Sequence, residues 1–150
     1  MNSETTRTPI HLWIIGVVAL LWNGFGCVDY LMTRTRGAAW IESMMHTPDA
    51  EAIMAYINAF PAWAAAGWGF GVWGGLLGAI LLLVRHRWAV PVFLVSLVGA
   101  LVGLGYQIAN PSGIGEMSEG VNVVMPYIII AIALGLFVYA RAMRIRGVLR

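Results

Sequence analysis

The chain has no lysine, one cysteine (Cys27) and little charge of either sign: Asp, Glu, Lys and Arg together make up 11% of its 150 residues. A soluble domain carries about 25%. That shortfall excludes a water-soluble globule, which would expose apolar surface it could not hide. A single cysteine excludes an internal disulfide and a thiol-based zinc site. The formal net charge of +2 comes from scattered arginines without a basic tract, so nucleic acid is not an expected partner. What the chain does have is apolar: 60% hydrophobic residues, 18 glycines and a mean hydropathy of +0.80.

Four apolar runs stand out, about 11–32, 61–84, 88–109 and 123–143. Each is close to the ~20 residues a helix needs to cross a hydrocarbon core. They are too long and continuous for barrel strands. The expected fold is therefore all-α, an antiparallel four-helix transmembrane bundle forming one domain over 1–150. The short Arg85-His86-Arg87 turn makes the second and third spans neighbours. Between the first two spans, Thr33 to Phe60 forms a longer loop. Its second half predicts an amphipathic helix: Thr47 as cap, Pro48 in the first turn, and Asp49 and Glu51 at the positive end of the dipole. Ile53, Met54, Ile57 and Phe60 give it an apolar stripe, and Pro61 ends it. Asn110 to Asn122 reads as a loop.

Residues 12–22 with Gly24-Phe25-Gly26-Cys27 have the outline of a lipoprotein signal. Gly24 stands where a leucine-like residue belongs, and the apolar run continues to Met32, so a retained helix is expected. Arg7, Arg85, Arg87, Arg141, Arg144, Arg146 and Arg150 fall on one side of the four spans, against Arg34 and Arg36 on the other. The positive-inside rule then puts both termini in the cytoplasm and the amphipathic helix in the periplasm or exterior.

The helix faces sort at about 100° per residue. In the first span Gly16, Ala19, Asn23, Gly26, Cys27 and Tyr30 share a face, with Trp22 and Asp29 at its edge. In the second, Ala64, Gly67, Gly71, Gly74, Gly75 and Gly78 form a narrow stripe. In the third, Ser96, Gly99, Gly103, Tyr106, Gln107 and Asn110 line one side. The fourth is mostly aliphatic, with Ala131 and Gly135 as its small pair. Lipid gives helices no hydrophobic drive to associate, so close backbone approach must supply it. Gly67, Gly71 and Gly75 against Gly99 and Gly103 predict tight packing of the second and third spans. The same stripe could instead leave room for a solute path or dimerise the protein.

Polar and aromatic residues gather near the outer helix ends: Asp29, Tyr30, Trp63, Tyr106, Gln107 and Tyr127. With Asn23, nearer mid-bilayer, they form the candidate site for a small solute, sugar-like or cationic. Two plainer readings stand beside it. Trp and Tyr collect at membrane interfaces in any case, and Arg34 or Arg36 could pair with Asp29. Asn23 could serve only as a hydrogen-bond link between helices. His11, His46 and His86 lie at ends or in loops, so no haem pair or metal site is expected. No catalytic motif, phosphate loop or cofactor is expected either.

The run from Leu21 to Thr33, with Trp22-Asn23, Gly26 and Asp29-Tyr30, is joined by Phe60-Pro61-Ala62-Trp63, Gly71-Val72-Trp73-Gly74-Gly75 and Leu82-Leu83-Val84-Arg85. Together these resemble a group of small four-helix inner-membrane proteins of Gram-negative bacteria often labelled "sugar transporter". The resemblance covers about residues 12–108. It implies an inner-membrane location and weight on Asn23, Asp29 and Tyr30. Four helices are few for a complete carrier, so transport would call for a homo-oligomer. The expected function is solute binding or transport. The alternatives are a non-catalytic accessory subunit of a larger membrane complex and, third, a quinone-linked oxidoreductase.

Overall fold

The computed structural model describes residues 8–150, so Arg7 of the orientation argument lies outside the described residues. The described chain forms six α-helices: α1 (Ile10–Arg36), α2 (Ala38–Met45), α3 (Ala50–Asn58), α4 (Ala62–Leu83), α5 (Ala89–Ala109) and α6 (Gly120–Ile145). A 3-10 turn, Gly115–Ser118, precedes α6. Four helices, α1, α4, α5 and α6, are long and apolar enough to cross a membrane. The chain is thus that of a multi-pass membrane protein.

Two spans are longer than their apolar runs. The 27 residues of α1 continue past Met32 to Arg36, and α6 begins at Gly120. At 1.5 Å per residue α1 is about 40 Å long, so its ends pass beyond a core of ~30 Å. Gly37 stops it at φ +57°, with its N–H donating to the Thr33 carbonyl at 3.1 Å. That backbone conformation suits glycine.

Immediately after Gly37 comes α2, in the half of the loop where no helix was expected. Ala38, Ala39, Glu42, Met44 and Met45 are all strong helix formers. Only the glycine separates them from α1, and it redirects the chain. The start of α3 also differs from expectation. Thr47 is buried and its hydroxyl accepts from the Asp49 N–H at 3.2 Å. Asp49 takes the cap position, Glu51 sits in the first turn, and the helix ends at Asn58, short of Phe60. Ile41, Ala50 and Ile53 form a small core of their own, covered by Met45, Ile57, Ile114 and Met117. So α2, α3 and the 3-10 turn make a compact cap at one end of the spans.

The spans pack in chain order, α1 on α4, α4 on α5 and α5 on α6, with α4 and α5 the most intimate pair. Gly67 lies against Val102 and Gly103, Gly71 against Gly99 and Ala100, Gly74 against Ser96, and Gly78 against Phe93. A β-carbon at Gly99 would sit 2.5 Å from the Gly71 nitrogen and 2.7 Å from the Gly67 carbonyl oxygen. The Ser96 hydroxyl donates to the Gly71 carbonyl across this seam at 2.6 Å. Ala131 and Gly135 of α6 are exposed and face away from the other spans. The helix turns Ala140 and Met143 inward instead, into a core with Leu12, Leu82, Ala89 and Phe93 at the end opposite the cap. Val148 and Leu149 join this core, and Arg150 exchanges backbone hydrogen bonds of 2.8 Å with Arg85 and Arg87.

Candidate functional site

Each span contributes one stripe to a shared hollow. On α1 it comprises Trp22, Asn23, Gly26 and Asp29. On α4 it comprises Trp68, Gly71, Val72 and Gly75, spaced as one helix face. On α5, Phe93, Ser96, Ala100 and Leu104 follow the same rule, as do Met125, Ile129, Ile132, Ala133 and Leu136 on α6. Between them lies a cavity of about 270 Å³. From Phe93 to Leu104 the wall covers eleven steps of helix, about 16 Å along the bundle.

Gly26 leaves the hollow open on the α1 side, because an added β-carbon there would meet no described residue within 4 Å. Gly71 and Gly75 instead bring α4 close to its neighbours, Gly71 to the Ala100 backbone and Gly75 to Asn23. A β-carbon at Gly75 would collide with the Asn23 side-chain oxygen and reach within 3.3 Å of the Ser96 hydroxyl. The hollow persists on its fourth side because α1 and α6 do not pack along their lengths. At the end opposite the cap His11 meets Tyr139, Nδ1 to the hydroxyl at 2.6 Å.

Among the described residues the lining is mainly apolar, with Asn23, Asp29 and Ser96 as its polar side chains and no cationic residue. Asn23 is the central residue of α1; its amide donates to the Ala19 carbonyl at 2.8 Å. Asp29 lies toward the cap end. One of its carboxylate oxygens accepts the Trp40 indole N–H at 2.9 Å, which fastens α2 to the cavity wall. Arg34, one of the two arginines considered as its partner, instead lies over the Tyr30 ring, 5.9 Å from its centre.

The seven expected site residues are therefore divided. Asn23 and Asp29 line the cavity. Tyr30 turns to α4, edge-on to Trp68 with ring centres 4.7 Å apart. Trp63 and Tyr106 meet in a separate aromatic cluster with Phe60 and Tyr56, their centres 5.0–5.4 Å apart. That cluster joins α3 to α5, and the Tyr56 hydroxyl donates to the Asn110 carbonyl at 2.7 Å. Burial, and then the neighbouring Tyr106, push the Tyr56 pKa above its ordinary value. Gln107 is half-buried outside the cavity lining, and Tyr127 is 55% exposed. Cys27 is buried, with its thiol 3.6 Å from the Val72 carbonyl.

Trp40 and Trp68 were not among the expected residues. Trp68 was legible, since it lies three residues before Gly71 on the same α4 face. Trp40 was not, because its role depends on α2 folding back beside α1. The chain matches no protein-family model, no curated protein and no solved structure.

Proposed function

We propose that this chain is a small bacterial inner-membrane protein that binds a small solute in the cavity between its four spans. Asp29 and Asn23 are the polar contacts, and the apolar wall holds the rest of the ligand. The observation behind this reading is the cavity itself. All four helices line it, and on α1 Gly26 stands where a side chain would enter open space. A pocket with a few convergent polar groups on an apolar lining is the usual form of a small-molecule site.

The spans alternate in direction. Contacts rising in number along α4 fall along α5, which supports an antiparallel pair. Arg85, Arg87, Arg141, Arg144, Arg146 and Arg150 follow the ends opposite the cap, so the positive-inside rule puts those ends in the cytoplasm. The cap of α2 and α3 then lies in the periplasm, over the Asp29 end of the cavity. The resemblance to small four-helix proteins labelled sugar transporters is compatible with a transport role, which would call for a second copy of the chain.

A second reading follows from the gap between α1 and α6. A helix of a larger complex could occupy it, making the protein an accessory subunit. The two separate in a thermal-stability screen of the purified protein against small cationic, neutral and sugar-like solutes, repeated on Ala133→Trp, which fills the cavity from the α6 wall. A solute that binds in the cavity raises the melting temperature of the wild type and leaves that of the filled variant unchanged. Equal shifts in both proteins, or none in either, would remove the solute reading.

A further inference from the structure

Resting on that solute-binding reading, we infer that the ligand is a lipophilic cation, an ammonium group on an aromatic or aliphatic body. Four observations converge. The cavity contains a carboxylate, Asp29, and among the described residues no cationic side chain lines it. Among the described residues Asp29 accepts one hydrogen bond, from Trp40, through one oxygen. An ionised carboxylate has about four acceptor positions, so capacity is left for a ligand. The indole rings of Trp22 and Trp68 belong to the same lining, and indole faces attract cations.

The remainder of the wall rules on the body of the ligand. Phe93, Ile129, Ile132 and Leu136 have no group to bond a hydroxyl. Ser96 and Asn23 already donate to the backbone of Gly71 and Ala19. A sugar, with a hydroxyl on nearly every carbon, would leave most of them unpaired in this cavity, which is unfavourable. An apolar body with one positive head meets no such obstacle. Trp22 and Phe25 belong to the lining and are also 37% and 58% exposed, so that body lies within reach of the acyl chains.

The test uses the full chain in detergent micelles and isothermal titration against empty micelles as reference. The probes are benzyltrimethylammonium, its uncharged isostere neopentylbenzene, and glucose. The expected result is that the cation binds the wild type, binds Asp29→Asn at least tenfold more weakly, and fails to bind Ala133→Trp. The isostere should bind wild type and Asp29→Asn alike. Should Asp29→Asn fail to fold, Met125→Arg on the facing wall supplies an internal cation and should also displace the probe. Equal affinity of the cation for wild type and Asp29→Asn, or binding of glucose alone, would overturn the ligand class while leaving the cavity reading in place. If no probe distinguishes wild type from Ala133→Trp, both fall.

Discussion

Gly99→Ala should separate α4 from α5. A β-carbon there would stand 2.5 Å from the Gly71 nitrogen, 2.7 Å from the Gly67 carbonyl oxygen and 3.0 Å from the Phe70 carbonyl carbon. All three obstacles are backbone, so no rotamer change relieves them. Ordinary contact is about 3.5 Å, so the helices must part by about 1 Å at that point. Overpacking of this kind costs about 1–3 kcal/mol. The Ser96 hydroxyl bond to the Gly71 carbonyl, 2.6 Å long, lies one turn away and is stretched as well, at about 1 kcal/mol. Alanine offsets about 1 kcal/mol through its better helix propensity. The net expectation is a loss of about 1–3 kcal/mol, read as a lower midpoint in detergent-denaturation titration followed by tryptophan fluorescence. Gly105→Ala is the matched control, because no described residue lies within 4 Å of the added carbon. It should hold or gain up to about 1 kcal/mol. Gly99→Ala at or above wild-type stability would refute the close approach of these two helices.

Gly75→Ala should displace the Asn23 side-chain oxygen, and a solute whose positive group faces that oxygen should lose about tenfold in affinity, or about 1.4 kcal/mol. Trp40→Phe removes the indole donor to Asp29; it should speed amide exchange in 38–45 while costing only about 1 kcal/mol of stability, since the site is partly exposed. Tyr56 should titrate above the ordinary range near pH 10 in the folded protein. Its folded pKa is raised, so its contribution to stability is complete below pH 10 and lost as pH rises through the folded value. A Tyr56→Phe difference titration at 295 nm checks this, and a tyrosine titrating at the free value would contradict it.

The four spans and the inward faces of α1, α4 and α5 were legible because membrane helices announce themselves in two ways, a run of about twenty apolar residues and a small-residue stripe at helical spacing; in α6 the small pair Ala131 and Gly135 faces outward. Asn23, Gly75 and Ser96 fell on those stripes, and the structure brings all three to one place. The cap was legible only in part. α3 carried an acidic start and an apolar stripe, whereas α2 is eight residues long and its helix formers follow a glycine, so it merged with the loop around it. The grouping of the aromatic residues was not legible at all. Trp63, Tyr106 and Tyr127 share a depth in the bundle, but depth does not give rotation about the helix axis relative to a neighbour. Rotation puts Trp63 and Tyr106 beside Phe60 and leaves Tyr127 exposed. The same limit hid the link from Trp40 to Asp29, which needs the reversal at Gly37.

The most direct test of the cavity is water access to its wall. With Cys27 replaced by alanine, a single cysteine is placed at Ala133, on the α6 wall of the cavity, or at Val138, which is 54% exposed on the same helix. Intact cells are treated with a membrane-impermeant maleimide, and denatured protein gives full labelling. A cavity that water reaches from the periplasmic side predicts rapid labelling at position 133 and none at 138, where lipid surrounds the thiol. A cysteine at 133 that stays inert until the protein is denatured would contradict it, because the four spans would then enclose a dry, packed interior.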